Sequence, residues 1–282
     1  MRAINFKTIG IGVTFSPNLE ANINEAARLA LFFGSKLVLI HVGEASEEKL
    51  NKFLAFLTPF KDQGLGFEVC FKSGDPVEVI LSTTNEKEVD LLIIGALKKE
   101  KFVKYYLGSI ARKVTRKATC SVLLLINPSK ERVSCSHIVV NGLKDPKTEE
   151  TVATAFFVGH KLGANKITVV EEVSDEEVSV KVDDDKSLRK STIVKERLRL
   201  REEMRVKTIL GTIPGELTKD IKIKSQPIFG KRGYSIGHYA QVARADLLVM
   251  NAPRKMNFWD RLFPHDIEHI LTELPTDVLI VQ

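Results

Sequence analysis

Gly95, two residues, Lys98, nine residues, then Gly108 and Ser109 make a spacing that can hold a phosphate. An apolar run, VDLLIIG, ends at Gly95, and Gly108-Ser109 opens a helix-like segment ahead of a second apolar run, VLLLI. A helix starting there turns unpaired backbone N–H groups and the positive end of its dipole into the loop, which suits an anion. Lys98 and Lys99 stand beside it. A turn and cap need the same two residue types without any ligand, because Gly and Ser serve both purposes in a βαβ crossover. Phe102, Tyr105 and Tyr106 between the two glycines are packing groups of that turn or a stacking surface for a base.

Other chemistry has less to stand on. His265 and His269 are four apart, but no third ligand follows at a recognisable spacing, so they read as helix-start and surface histidines and no metal site is expected. His41 lies inside an apolar strand and reads as a core histidine rather than a base. There is no G-x-S-x-G elbow, no G-x4-G-K-S/T loop and no pair of carboxylates flanking a cleft, so no catalytic residue is assigned. Cys70, Cys120 and Cys135 form no CxxC and read as small buried hydrophobes in a reducing compartment.

The elements that position these residues are written twice. Shifting the chain by 156 places Gly230 on Gly74, Asp246 on Asp90, ADLLVM on VDLLII, and DVLIV (Asp277 to Val281) on SVLLL (Ser121 to Leu125). The beginnings match at an offset of 129, with Ile138 on Ile9, Pro146 on Pro17 and Gly163 on Gly34. Apolar runs alternating with helical periodicity predict strands at Thr8 to Val13 and Lys36 to Val42, helices at about Leu19 to Phe33 and Glu47 to Phe60, a strand at Gly66 to Lys72, and a helix opened by Gly74-Asp75-Pro76. Strands apolar on both faces mean a parallel sheet covered on both sides, an α/β fold whose ligands sit beyond the carboxyl ends of the strands. Two domains are expected, 1–130 and 131–282. The offsets of 129 and 156 leave 27 extra residues in the second, in a charged region of about 172–220 with an acidic loop and a long helix carrying Ile193, Val194, Leu198 and Leu200. That helix reads as solvated with a thin packed stripe, or as a docking surface.

Composition narrows the function classes. Of 282 residues 44% are hydrophobic and 28% charged, a soluble globular balance, with no apolar run near the roughly 20 residues of a membrane span. The N-terminal MRAINFKTIG lacks a signal-peptide core, so the expected compartment is the cytoplasm. The net charge is +6, but Lys and Arg are dispersed among 36 acidic residues, so neither nucleic acid nor membrane is expected as a partner.

The Gly95, Lys98, Gly108, Ser109 spacing is similar to the G-x2-G-x9-G-S/T nucleotide signature of universal stress proteins. The IHV that ends the second strand, Gly74-Asp75-Pro76, Asp90 and VLLLI resemble the same family, and two copies make the chain resemble a tandem member. The resemblance implies a Rossmann-like five-stranded parallel sheet in each copy. It also implies association through the last strand, here as a pairing of the two copies within one chain or as a homodimer. Some family members bind ATP and others do not. Carried over by residue, Gly95, Gly108 and Ser109 fit the phosphate side and Val42 fits the adenine side, while Lys98 stands for the middle glycine and Thr14 for the adenine-side aspartate. The side chain of Lys98 crowds a phosphate or contacts it through its ammonium, and Thr14 keeps one hydrogen bond but no carboxylate. In the second copy the pattern reads Asn251, Arg254, Pro264, His265, with Leu143 on the adenine side and Phe258, Trp259, Leu262 and Phe263 nearby, a degenerate structural copy. The implied function is a cytoplasmic stress-response or regulatory module that binds ATP or another adenine nucleotide in the first copy only. A module acting through protein contacts is the alternative, and a slow ATPase, which lacks a placeable water-activating group, is the second.

Overall fold

The computed structural model describes residues 5–98, 105–173, 175–178, 181–231, 233–252 and 266–282. In chain order the elements are β1 (Thr8–Val13), α1 (Leu19–Phe33), β2 (Lys36–Val42), α2 (Glu47–Lys61), β3 (Phe67–Lys72), α3 (Pro76–Glu86), β4 (Leu91–Gly95), β5 (Leu97–Lys98), β6 (Tyr105–Tyr106), α4 (Ser109–Lys117) and β7 (Ser121–Leu125). They continue as β8 (His137–Asn141), α5 (Thr148–Leu162), β9 (Lys166–Val173), α6 (Asp175–Val178), α7 (Asp185–Leu210), α8 (Gly215–Thr218), β10 (Lys222–Phe229), α9 (Tyr234–Val242), β11 (Leu247–Asn251), α10 (Asp266–Thr272) and β12 (Asp277–Val281). The chain divides into two compact units: residues 1–134 with 271–282, and residues 135–270.

In unit 1 the strands run β3-β2-β1-β4-β7, all parallel, with β12 antiparallel beside β7. The apolar runs explain the parallel core: Ile9, Ile11, Leu37, Leu39, Leu91 to Ile93 and Val122 to Leu125 are buried, each large side chain stabilising by about 1.5–3 kcal/mol. α1 packs its Ile23, Ala26, Ala27 and Ala30 stripe inward and stops at Gly34, whose φ of 68° a side chain would strain. Asp75 caps α3, accepting from the backbone N–H of Val77 at 2.9 Å and Glu78 at 3.1 Å, with Pro76 in the first turn. Asp90 Oδ2 accepts from Lys7 N at 2.8 Å and Thr8 N at 3.0 Å, which pins the start of β1 to the start of β4.

Unit 2 repeats this plan with strand order β10-β9-β8-β11, again parallel. Asp246 Oδ2 accepts from Ser136 N at 2.8 Å and His137 N at 2.9 Å, the Asp90 pin repeated at both offsets. The second unit departs between its second and third strands. In the region from 172 to 220, α7 takes the place of α2 in element order and extends it from 15 to 26 residues, and the short α6 and α8 are added on either side of it. The acidic stretch thus carries a helical turn, α6. Nor does the expected apolar stripe face inward as a whole. Ile193 and Leu200 are exposed, Val194 and Leu198 half-buried, and the residues α7 buries are Ser191, Glu202, Val206 and Ile209.

Candidate functional site

At the carboxyl edge of unit 1 the strand order reverses between β1 and β4, the place where open α/β sheets bind ligands. Thr14, exposed, follows β1; Gly95 ends β4; Val42, half-buried, ends β2 on the far side of β1. These three therefore share one edge of three adjacent strands. Lys98 pairs through its backbone with Tyr105, so the loop closes as a β5-β6 hairpin rather than an irregular turn. Tyr105 O then accepts from Leu274 N at 3.1 Å. The Lys98 side chain, and Lys99 and Phe102, lie outside the described residues.

Gly108 is the N-cap of α4 in an extended conformation with no side-chain cap, and Ser109 opens the helix exposed. The first turn of α4 has no acidic residue, and its last turn carries Arg116 and Lys117, so its dipole is unopposed at the loop end. Gly95 is there for space: a Cβ on it would stand 3.1 Å from Asn22 Oδ1, itself buried with no partner. On the Val42 side, His41 is buried with Nδ1 3.1 Å from Val13 O and its ring edge-on to Phe15, Phe53 and Phe71. It is a packing residue, as its strand implied. Phe15 stacks on Phe53 with ring centroids 5.3 Å apart and is 44% exposed, leaving an aromatic surface next to Thr14.

The same edge of unit 2 is built from different chemistry. One extra residue before β9 sets the strand register, His137 pairing with Lys166 where Thr8 pairs with Lys36. Glu171 then occupies the place of His41 and Glu172 that of Val42. Consecutive strand residues point to opposite faces, so the two carboxylates separate. Glu172 accepts from Gly233 N at 3.1 Å and Ile236 N at 2.8 Å and so caps α9, where Lys231 has replaced the aspartate that caps α3 in unit 1. Glu171 turns toward α7. Its Oε1 accepts from Ser225 Oγ at 3.2 Å, its Oε2 has no partner, and burial pushes its carboxyl up to about 7.

Around Glu171 lies a cavity of about 390 Å³ lined by Gly142, Leu143, Lys144, Glu172, Val173, Glu177, Arg201, Glu202 and Arg205. α7 supplies its arginines: Glu202, 7% exposed at the side chain, pairs with Arg205 at 2.8 Å and Arg201 at 2.7 Å. These two hydrogen-bonded pairs hold the Glu202 carboxyl below its usual range against the opposing effect of burial. Arg205 also donates to the carbonyls of Gly142 and Leu143. Leu143, in the place of Thr14, thus sits under an arginine cover. Asn251, in the place of Gly95, donates to Thr148 Oγ1 at 3.3 Å. Arg254, Pro264, His265, Phe258, Trp259, Leu262 and Phe263 lie outside the described residues, which leaves His269 alone of the histidine pair in view.

Sequence reasoning missed this cavity. Its one signal was a pair of glutamates inside the otherwise apolar strand ITVVEEV, where buried strands rarely carry charge.

Both units are thus mostly parallel α/β sheets, and part of the chain is similar to proteins of a known family. Residues 44–125 match the universal stress protein family. Universal stress protein YxiE of Bacillus subtilis (strain 168) is 31% identical over 64 residues, 23% of this chain and 43% of that protein. A universal stress protein of Methanothermobacter thermautotrophicus is 30% identical over 90 residues, 32% of this chain and 61% of that protein. The chain thus spans about half the length of these relatives. A solved universal stress protein from Archaeoglobus fulgidus DSM 4304 shares the fold across 98% of both chains, with a TM-score of 0.66 at 16% identity. No described helix is long and apolar enough to cross a membrane.

Proposed function

We propose that the chain is a cytoplasmic regulatory binding module of the universal stress type, taking ATP or another adenine nucleotide at the edge of unit 1 and none at the degenerate edge of unit 2. The observation that carries this is the α4 N-terminus, whose first backbone N–H groups have neither a capping side chain nor an acidic neighbour while Ser109 stands exposed beside them. Asn22, buried against Gly95 with Oδ1 unpartnered, adds a polar group at the same edge, and Phe15 offers a ring for the base. In unit 2 Glu172 takes the place of Val42, and Arg205, bonded to the carbonyls of Gly142 and Leu143, covers the place of Thr14. No residue is assigned a catalytic role, and phosphate release at the background rate is the expected outcome of an ATPase assay.

The test is calorimetric titration of ATP into the nucleotide-stripped full chain and its Ser109→Asp variant. One nucleotide per chain, lost in Ser109→Asp without loss of thermal stability, supports the site, since an acid in the first helical turn favours the helix and repels phosphate. No heat at millimolar ATP, about −4 kcal/mol, overturns it.

A module acting through protein contacts is the second reading. It rests on Ile193, Leu200 and Met204, which lie on one side of α7 and are 54%, 47% and 71% exposed.

A further inference from the structure

The cavity of unit 2 belongs to neither reading above. We propose that it binds a small organic cation, a protonated primary amine, with Glu171 as the anchor.

Glu171 is 2% exposed, lines the cavity, and has Oε2 without a hydrogen-bond donor. A buried carboxyl oxygen left unpaired costs free energy that a donor from a ligand restores. The other carboxylates of the lining are already engaged. Glu172 holds the α9 N–H groups, Glu202 holds both arginines, and Glu177 pairs with Arg201 at 3.0 Å. The vacant acceptor in the wall is therefore Glu171.

Charge points the same way. With all groups ionised, the lining sets Glu171, Glu172, Glu177 and Glu202 against Lys144, Arg201 and Arg205, one cation short. An anionic ligand is disfavoured because Arg201 and Arg205 are spent on carboxylates and on the carbonyls of Gly142 and Leu143. A bare metal ion is disfavoured too: among the described residues no three His, Cys, Asp or Glu side chains are grouped to hold one. An ammonium supplies one charge and several N–H donors, and the cavity has room for a compact metabolite around it. At the rim Lys144 is exposed and forms no ion pair among the described residues, a partner for the carboxylate of a zwitterion.

The experiment titrates 1,4-diaminobutane, L-lysine and tetramethylammonium into the full chain at pH 8 by calorimetry, with Glu171→Gln and Lys144→Ala variants. Saturable binding of one molecule per chain by either amine, weakened at least about tenfold in Glu171→Gln, supports the site. Binding of both amines assigns recognition to the ammonium alone. Binding of L-lysine only, weakened in Lys144→Ala, assigns it to a zwitterion. Glu171→Gln must keep cooperative thermal unfolding, which separates lost binding from lost fold. Affinity rises as pH is raised through about 7, as Glu171 sheds its proton while facing Arg205, Glu202 and Glu203 of α7 and Ser225 of β10. No heat from either amine at about 10 mM overturns the proposal. So does equal affinity in Glu171→Gln, or tetramethylammonium, which has no N–H, binding as well as the amines.

Discussion

Glu171 and Glu172 are neighbours on one strand, yet one carboxylate completes a helix cap and the other lacks a donor on one oxygen. Each makes a prediction. The folded chain holds a proton on Glu171 up to about pH 7, against 4.5 for the ordinary carboxyl, so between those values the folded state binds more protons than the unfolded one. Stability conferred by that proton is present at low pH and lost as pH rises from 4.5 through 7, by about 3 kcal/mol in all. Thermal melts across pH 4 to 8 are expected to show this slope flattened in Glu171→Gln; an unchanged slope means the carboxyl is not the titrating group. Glu172→Ala leaves the N–H groups of Gly233 and Ile236 without their acceptor and is expected to cost about 1–3 kcal/mol in denaturant titration. That Gly95 ends a strand and Gly108-Ser109 open a helix was legible because glycine and serine at those spacings mark a turn and a cap. The glutamates were not: only tertiary structure tells which face of β9 meets α7 and which meets α9.

α7 shows what periodicity misses at the level of an element. Its existence was readable from the run of charged helix formers, and its start is fixed by a reciprocal box in which Asp184 Oδ1 accepts from Ser187 N at 2.7 Å and Ser187 Oγ accepts from Asp184 N at 2.9 Å. Asp184→Ala is expected to cost about 1 kcal/mol and to raise hydrogen exchange in the first turn of α7, with the rest of the helix unaffected. Its orientation was not readable. A hydrophobic stripe predicts the buried face only where burial is apolar, and α7 buries Glu202 between two arginines while Arg199 pairs along the surface with Glu196 and Glu203. α2, with Phe53, Leu57 and Phe60 buried, follows the ordinary rule in the same place of the other unit.

For the whole molecule the sequence repeat foretold two α/β copies, and the paired pins of Asp90 and Asp246 show how literally the plan was reused. The repeat matches β12 to β7, and by compactness residues 271–282 group with unit 1. There Val278 to Ile280 run antiparallel to Leu124 to Val122, Ile126 N donates to Asp277 Oδ1 at 2.8 Å, and Gln282 Nε2 donates to Ala118 O at 2.9 Å. Ending the chain at residue 270 uncovers the fully buried, apolar edge of β7, and the shortened protein is expected to self-associate in size-exclusion chromatography with light scattering. A monomer with an unchanged melting temperature would show that β12 contributes nothing there.

The placement of β12 also sets a clock. During synthesis, at about 5–20 residues per second, β7 leaves the ribosome roughly 10–30 seconds before its antiparallel neighbour exists. Through that interval an apolar strand waits with one side unmade, the kind of edge on which newborn chains aggregate.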